Sequence, residues 1–456
     1  MMEENRNRIQ SDTLTSLCDE FQKNNRIEPE KFERYGVKRG LRNADGSGVM
    51  AGLTLICNVH GYVINEAERS PVEGRLIYRG IDIHDLVNGC AEEDRFGFEE
   101  TAWLLLFGKL PTRPQLERFS NLLSECRELP DYFAEDMIIK APSPNIMNKL
   151  ARSVLALYSY DDNPEDLSME NVLRQSIELI AMLPTIMGYA YQVKRRHYDK
   201  ESMVIHPTLP GLSTAETILR SIRADTVYTK EEARLLDLCL MLHAEHGGGN
   251  NSTFAARVLS SSGTDTYSAI AAAIGALKGP RHGGANIKVM QMLDYIKEGV
   301  RDWEDDEEIA DFLIRLINRE AGDRAGLIYG MGHAVYTLSD PRAVILKEAA
   351  RGLAEKKGLG PDFRLLEAVE RLTPSVFART KENTKAMCAN VDLYSGLVYR
   401  TLGIREELFT PLFAVARMAG WCAHRIEELL TGGRIIRPAY KAIARPQPYI
   451  PLEDRQ

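Results

Sequence analysis

The spacing of apolar residues constrains this 456-residue chain more than any other feature, because it recurs with a helical period over most of the length. Segments near 146–160, 169–195, 213–222 and 230–245 carry apolar side chains at helical spacing, and Pro, Gly or Asp separates them. The segment 302–319 opens with carboxylates, which complement a helix dipole, and continues with one apolar stripe. We therefore predict an all-α, mainly helical protein.

One region departs from the helical period. Residues 53–64 alternate and are rich in β-branched side chains, which predicts a small β-hairpin, and residues 75–83 could add a short strand and turn. Residues 1–45 are polar and charged, which favours a helical arm ahead of the hairpin. We expect the rest of the chain to be helical.

The domain organisation is predicted from two candidate hinges. One is the glycine-rich turn at 279–284, and the other is the stretch 377–390. These hinges predict an N-terminal arm at 1–50, a large helical domain formed by 51–278 and 386–456, and a smaller helical domain at 279–385.

Charge and composition exclude several classes of protein. A net charge of −8 argues against a general nucleic-acid binder, which usually has a basic balance. No apolar run approaches the roughly 20 residues that span a bilayer, so no membrane association is expected. The start of the chain is too polar and acidic for a signal peptide. The seven cysteines are dispersed and include no CxxC pair, which predicts reduced thiols and a cytoplasmic protein.

Three glycine-framed segments carry the residues most suited to chemistry. They are 279–286 around His282, 330–336 around His333, and 390–396 around Asp392. The chain has only nine histidines, so two in glycine-framed turns are unlikely to be incidental. Glycine admits close approach of a ligand to backbone amides, and two imidazoles with one carboxylate can move protons at carbon and oxygen. This set predicts an enzyme.

The surroundings of the two histidines indicate different roles. His282 precedes a helix-period run at 285–296, so the helix dipole should keep its ring neutral and able to donate a hydrogen bond to an enolate. His333 is followed by Asp340 and Arg342, and a turn there could bring the guanidinium to the same pocket as a carboxylate anchor. The alternative for His282 is a plain turn residue.

Further candidates are weaker alone. Arg417 stands among small and apolar residues, and a buried arginine needs an anionic partner, whereas Arg437 alone would read as surface charge. Asp392 opens a helix-like stretch, and an N-capping role is the alternative to catalysis. His243 and His246 lie three apart near a helix end, so one could contact ligand, although a metal site would need a third ligand.

Taken together, these motifs resemble the citrate synthase family from about Val59 to Pro438. The resemblance rests on segments that stand in the family's order: 78–83, 243–246, 279–286, 332–333, 340–342, 390–396, 416–417 and 420–421. Each motif is modest by itself, but the ordered set is specific.

The resemblance implies a homodimer that condenses acetyl-CoA with oxaloacetate, hydrolyses citryl-CoA to citrate and CoA, and needs no cofactor or metal. Asp392 would remove a methyl proton from acetyl-CoA, His282 would bind the thioester oxygen, and His333 would polarise the ketone and protonate the alkoxide. The residues implied for oxaloacetate are His246, Arg342, Arg417 and, from the neighbouring subunit, Arg437. The residues implied for CoA are Gly326, Leu327, Ile328, Tyr329, Gly330, Met331 and Gly332.

Three alternatives remain open at the level of sequence. A 2-methylcitrate synthase would use propionyl-CoA on the same fold. A metal-dependent hydrolase would use His243, Glu245 and His246. A helical scaffold without catalytic activity would use none of these residues.

Overall fold

The computed structural model describes residues 11–24, 27–43, 45–65, 68–381 and 387–455. Contacts divide the chain into two compact units, Met1–Gly52 and Leu53–Gln456. The first unit holds α1 (Ser11–Asn24) and α2 (Pro29–Arg34), followed by a short 3-10 turn. All elements described below belong to the second unit.

The second unit is almost wholly helical, which confirms the predicted all-α class. Its helices are α3 (Ile83–Glu92), α4 (Phe98–Phe107), α5 (Arg113–Glu125), α6 (Ile146–Leu157), α7 (Met169–His197), α8 (Thr214–Ile222), α9 (Lys230–His243), α10 (Asn251–Ser260), α11 (Thr266–Lys278), α12 (Ala285–Gly299), α13 (Asp306–Ile317), α14 (Pro341–Lys356), α15 (Gly360–Lys381), α16 (Asp392–Thr401) and α17 (Phe409–Leu430). A π-helical turn at Ala134–Ile139 and three 3-10 turns complete it.

The predicted hairpin is present, but its strands lie later than expected. Strand β1 (Cys57–Asn65) pairs antiparallel with β2 (Glu68–Tyr78), and β3 (Ile81–Asp82) extends the sheet beyond β2. Residues 53–64 therefore supply one arm of the hairpin instead of both. The other arm is β2, which overlaps the short strand predicted from residue 75, and the pairing of Cys57 with Tyr78 fixes the register.

Local capping explains where several helices begin. Thr229 and Glu232 form a capping box at the start of α9, and Ser213 with Glu216 does the same for α8.

The predicted helix at 302–319 is shorter than its charge pattern suggested. Asp305 caps α13 by accepting the N–H groups of Glu307 and Glu308, so the earlier carboxylates stay outside the helix.

The core is organised around α17, which is buried on all sides from Phe409 to Ile426. It packs against α4, α7, α9, α10 and α11. A helix that is apolar all round belongs in the interior of a large domain, and α17 nevertheless carries the charged residues Arg417, His424 and Arg425 there. Burying such groups is costly unless they have partners.

The segment 279–284, predicted as a hinge, forms the turn between α11 and α12. The predicted boundary between 385 and 386 lies outside the described residues. Among the helices that the structure describes, none is long and apolar enough to cross a membrane.

Candidate active site

His282 stands in the turn immediately before α12, at the position expected from the sequence. Its backbone N–H donates to the Gly279 carbonyl at 2.9 Å, and the Gly283 N–H donates to the Leu277 carbonyl at 3.1 Å. Gly283 admits this close approach because a Cβ there would lie 2.3 Å from the Leu277 oxygen. The Thr410 hydroxyl donates to the Gly283 carbonyl at 2.8 Å, which ties the turn to α17.

The hydrogen bonds of His282 define its tautomer. Its Nε2 lies 3.4 Å from the backbone nitrogen of Ser252 and 2.9 Å from the Ser252 hydroxyl. A backbone N–H can only donate, so Nε2 accepts and the proton of the neutral ring is assigned to Nδ1. Burial, aided by the charge of Arg417, lowers the pKa of His282 to about 4. The ring is therefore a neutral hydrogen-bond donor at physiological pH.

His333 presents the opposite nitrogen. Its Nδ1 accepts the backbone N–H groups of Val335 and Tyr336, both at 3.1 Å, which assigns the proton of a neutral ring to Nε2. The ring stacks on Tyr336 with centroids 4.6 Å apart, and meets the ring of His246 edge-on at 5.0 Å. The turn after His333 thus fixes both the tautomer and the plane of the ring.

Asp392 is the first residue of α16, but it does not cap that helix. Its own backbone N–H donates to the Asn390 side chain at 3.0 Å, and the N-cap position is Val391, which has no side-chain cap. Burial raises the pKa of the Asp392 carboxyl to about 6, with Asp340 acting in the same direction and Arg342 and Arg417 opposing it. The capping interpretation is therefore wrong, and the carboxyl is poised to exchange a proton near neutral pH.

Arg417 offers the most conspicuous unpaired charge. It has no solvent exposure, and its Nε donates to the His243 carbonyl at 2.6 Å. Both Nη atoms are buried without a hydrogen-bond partner, and burial lowers the pKa of the guanidinium. Buried guanidinium donors that no protein group satisfies are suited to binding an anionic ligand.

Arg342 is buried too, but it already has a partner. Its Nε and Nη2 donate to the two oxygens of Asp340 at 3.0 and 2.7 Å, and its backbone N–H donates to the same carboxylate, which caps α14. Asp340 also accepts the Val391 N–H at 3.3 Å, beside Asp392. This ion pair thereby links the starts of α14 and α16.

His243 and His246 lie at and just after the end of α9. His243 is the last residue of α9, and its Nδ1 bonds the Cys239 carbonyl at 2.8 Å. Burial lowers the pKa of both rings, and that of His243 to about 3. The Nε2 atoms of both rings are buried without a partner. Across the described residues, no three His, Cys, Asp or Glu side chains meet as a metal cluster, and Glu245 instead lies against His424.

The segment 326–332 lies beside Asp392. Met331 forms an isolated bridge with Ala389, and the Gly330 carbonyl accepts the Asn390 N–H at 2.8 Å. Gly332 has a φ of +87°, and a Cβ there would meet no atom within 4 Å. The backbone at Gly332 therefore faces open space, as a loop that holds a bulky ligand would require.

Arg437 is placed apart from this set. It is exposed in the extended segment after α17 and makes no ion pair with a described residue of this chain. The single chain therefore gathers His246, His282, His333, Asp392 and the arginines at 342 and 417, but not Arg437.

Two contributors were not predicted. The ring of Phe413 lies edge-on to His243 at 4.9 Å and to His282 at 6.1 Å, and the Arg417 guanidinium lies 4.8 Å from it. Ser252 accepts the Trp421 indole N–H at 3.2 Å while it holds His282. The position of Ser252, shortly after a glycine run, is only a weak sequence signal of a functional role. Nothing in the local sequence pointed to Phe413.

Removing a proton from carbon and stabilising the resulting oxyanion require a base and hydrogen-bond donors in one place. The residues gathered here supply both next to a buried cation without a partner. They define the class of protein as a helical enzyme suited to a carbon acid and a small anionic partner.

Comparison with known proteins makes the assignment specific. The family model described as citrate synthase, C-terminal domain, matches residues 46–439. The citrate synthase of Deinococcus radiodurans is 36% identical over 84% of this chain and 94% of its own length. The 2-methylcitrate synthase 1 of Corynebacterium glutamicum is 30% identical over 92% and 98%. The Thermoplasma acidophilum citrate synthase, solved in ternary complex with carboxymethyl coenzyme A and oxaloacetate, superposes with a TM-score of 0.73 at 26% identity, covering 92% and 99%.

The chain belongs to the citrate synthase family. It is an enzyme of the transferase type, as the motifs predicted.

Proposed function

We propose that this chain condenses acetyl-CoA with oxaloacetate and hydrolyses the citryl-CoA intermediate to citrate and free CoA. One observation carries the proposal: a neutral His282 that presents an Nδ1–H accompanies a carboxyl at Asp392 whose pKa is near 6. A base of that strength is ionised at physiological pH and still able to accept a proton from an activated carbon.

The chemistry begins at the methyl group of the thioester. The Asp392 carboxylate takes a methyl proton, and the Nδ1–H of His282 donates to the thioester oxygen, where negative charge develops as the enol forms. A neutral donor stabilises that charge without protonating it prematurely, because the pKa of His282 is low.

The enol carbon then attacks the ketone carbon of oxaloacetate. The Nε2–H of His333 polarises the ketone oxygen and gives its proton to the new alkoxide. Water finally cleaves the thioester bond, which releases citrate and CoA. His246, Arg342 and Arg417 would bind the carboxylates of oxaloacetate, and the support for Arg417 is its pair of buried Nη atoms without a partner.

The remaining parts of the site follow the family. The backbone of 326–332 would hold the CoA adenine. Residues 279–385 would form a small domain that closes over the rest and excludes water until condensation is complete. The active unit would be a homodimer in the cytoplasm, with Arg437 contributed by the neighbouring subunit, for which the support is its exposed position on the chain that carries it.

The test is release of free thiol from acetyl-CoA and from propionyl-CoA, each with and without oxaloacetate. We expect oxaloacetate-dependent release with a higher kcat/KM for acetyl-CoA. A preference for propionyl-CoA would instead favour 2-methylcitrate synthase, which the Corynebacterium glutamicum relative supports. The two acyl groups differ by one methylene, which is worth about 1–3 kcal/mol in kcat/KM. The two thioesters are therefore compared by the ratio of their kcat/KM values. Release without oxaloacetate would refute condensation.

A further inference from the structure

A series of buried polar side chains in contact with one another lies behind the turn that carries His246. It begins at His424 of α17, which has no solvent exposure. The Nδ1 of His424 lies 3.0 Å from Nε and 2.7 Å from Nη2 of Arg257. A guanidinium only donates, so Nδ1 accepts and the ring proton is assigned to Nε2. That Nε2 lies 3.0 Å from Oε1 of Glu245, an ion-pair contact in which the two groups are not aligned as a hydrogen bond.

Arg257 is itself held in place. Its Nη1 donates to Glu428 at 2.7 Å, and its Nη2 contacts Glu427. Glu427 also accepts the Leu55 N–H at 2.8 Å, just before β1. With two carboxylates fixing the guanidinium, the orientation of the His424 ring is determined from outside the substrate site.

The other end of this series of side chains reaches the substrate site. Glu245 is fully buried, and its Oε1 accepts the Gly247 N–H at 2.5 Å. Burial opposes the charge of this carboxylate, but His424 and Arg417 lower its pKa below the ordinary value. Glu245 therefore stays ionised, one residue before His246, and fixes the backbone one residue after it.

We propose that His424 is a positioning residue for oxaloacetate: held by Arg257, it orients Glu245, which fixes the turn at Gly247 and therefore the ring of His246. This inference rests on the proposed function, since it assigns His246 to oxaloacetate. A buried carboxylate that loses a donor must find another or rearrange, because leaving it unsatisfied is costly. Gly247, which has a φ of +88°, is held by that carboxylate at its N–H and by the Asn250 N–H, which donates to its carbonyl at 3.1 Å.

Two amide substitutions test the contacts of the two ring nitrogens of His424 separately. In His424→Gln the amide N–H extends about as far as Nε2 and keeps a polar contact with Glu245. In His424→Asn the shorter amide can still accept from Arg257, but it cannot reach Glu245. We expect the Kd for oxaloacetate, from isothermal titration calorimetry, to rise about tenfold or more in His424→Asn and to stay within about threefold in His424→Gln.

The same variants are assayed for KM, kcat and thermal stability. The proposal expects the KM for oxaloacetate to rise with Kd while the KM for acetyl-CoA and the melting temperature of the two variants stay alike. It is overturned if both amides have equal oxaloacetate affinity, or if the KM values of both substrates change together. Absence of oxaloacetate binding by the unsubstituted protein would instead refute the proposed function itself.

If His424→Asn does not fold, the contact is tested from Glu245. Glu245→Gln keeps an acceptor for Gly247 and His424, whereas Glu245→Ala keeps none. We expect only the alanine variant to bind oxaloacetate about tenfold more weakly. Equal affinities of these two variants would overturn the proposal.

Discussion

At the scale of single residues, burial reverses the usual order of two titrating groups. The pKa of Asp392 is raised to about 6, and that of His282 is lowered to about 4, in both cases chiefly because the charged form is poorly solvated. The carboxyl is therefore the stronger base of the two. Above about pH 6 an ionised base and a neutral donor coexist, which is the combination that enolisation requires.

Asp392 should reduce stability while it serves catalysis. Its pKa is higher in the folded protein than the ordinary 3.8, so the stability of the folded state falls as the pH rises from about 4 to about 6 and stays lowered above that. The difference corresponds to at most about 3 kcal/mol. We expect Asp392→Asn to lose about 10²–10⁴-fold in kcat and to gain stability toward urea at pH 8. The gain should fall to about half at pH 5.

The control for that prediction is Asp311→Asn, at an exposed position of α13, which should leave activity and stability near the original values. A stability gain in Asp392→Asn that is equal at pH 8 and pH 5 would contradict the linkage argument.

Two buried arginines of α17 allow a matched comparison. Arg425 donates to Thr266, Ser260 and Thr264, whereas the Nη atoms of Arg417 have no partner. We expect Arg417→Met to raise the Kd for oxaloacetate about 100-fold or more, because a charged hydrogen-bonding partner of the ligand is lost. Arg425→Met should instead lower the free energy of unfolding by about 3 kcal/mol and leave that Kd nearly unchanged.

Calorimetry and urea unfolding of both variants measure the two effects. If Arg425→Met weakened oxaloacetate binding as strongly as Arg417→Met, the assignment of Arg417 as a ligand anchor would be wrong.

At the scale of elements, the site depends on where helices begin. His282 precedes α12 and Asp392 begins α16, so each is positioned by a helix start instead of a helix face. The helical period predicted α12 from residue 285 without the structure, and the glycines marked the turn before it. No local signal showed that Ser252, at the start of α10, would hold the His282 ring.

Gly283→Ala tests the turn before α12. The new Cβ would lie 2.3 Å from the Leu277 oxygen and 2.6 Å from Cγ2 of Thr410, so the turn must shift and carry His282 with it. Because a misplacement of about 1 Å can cost about 10²-fold in rate, we expect kcat to fall by about 10–100-fold with little change in the Kd for oxaloacetate. Steady-state kinetics and calorimetry measure both.

Gly352→Ala in α14 is the matched control, since a Cβ there meets no atom within 4 Å and the residue is exposed. It should raise the free energy of unfolding by about 0.5–1 kcal/mol with unchanged kcat. Full activity in Gly283→Ala would show that the turn does not position His282.

At the scale of the whole molecule, the proposed homodimer assigns the exposed Arg437 to the active site of the neighbouring subunit. We expect Arg437→Ala and Asp392→Ala homodimers each to be strongly impaired. In a mixed dimer, the subunit with intact Asp392 would receive Arg437 from its partner, so one site is restored. The purified mixed dimer, with one of its two sites intact, should recover about half of the original activity.

Co-expression with two affinity tags and an assay of the purified mixed dimer test this prediction. A mixed dimer no more active than the Arg437→Ala homodimer would place Arg437 outside the neighbouring site.

The amino-acid pattern alone predicts the helical class, the starts of the main helices and the segments that hold the histidines and Asp392. It could do so because helical period, capping residues and glycine turns act over a few residues. The family resemblance added the order of those segments, and the comparisons agree with it.

The tertiary structure alone decided how each of these groups is charged and oriented. The tautomer of His282 depends on Ser252, thirty residues away, and the orientation of Glu245 depends on His424 in α17. Burial sets the pKa of Asp392 and leaves the Nη atoms of Arg417 unpaired. Such properties arise from desolvation and from contacts between distant segments, which no local pattern records.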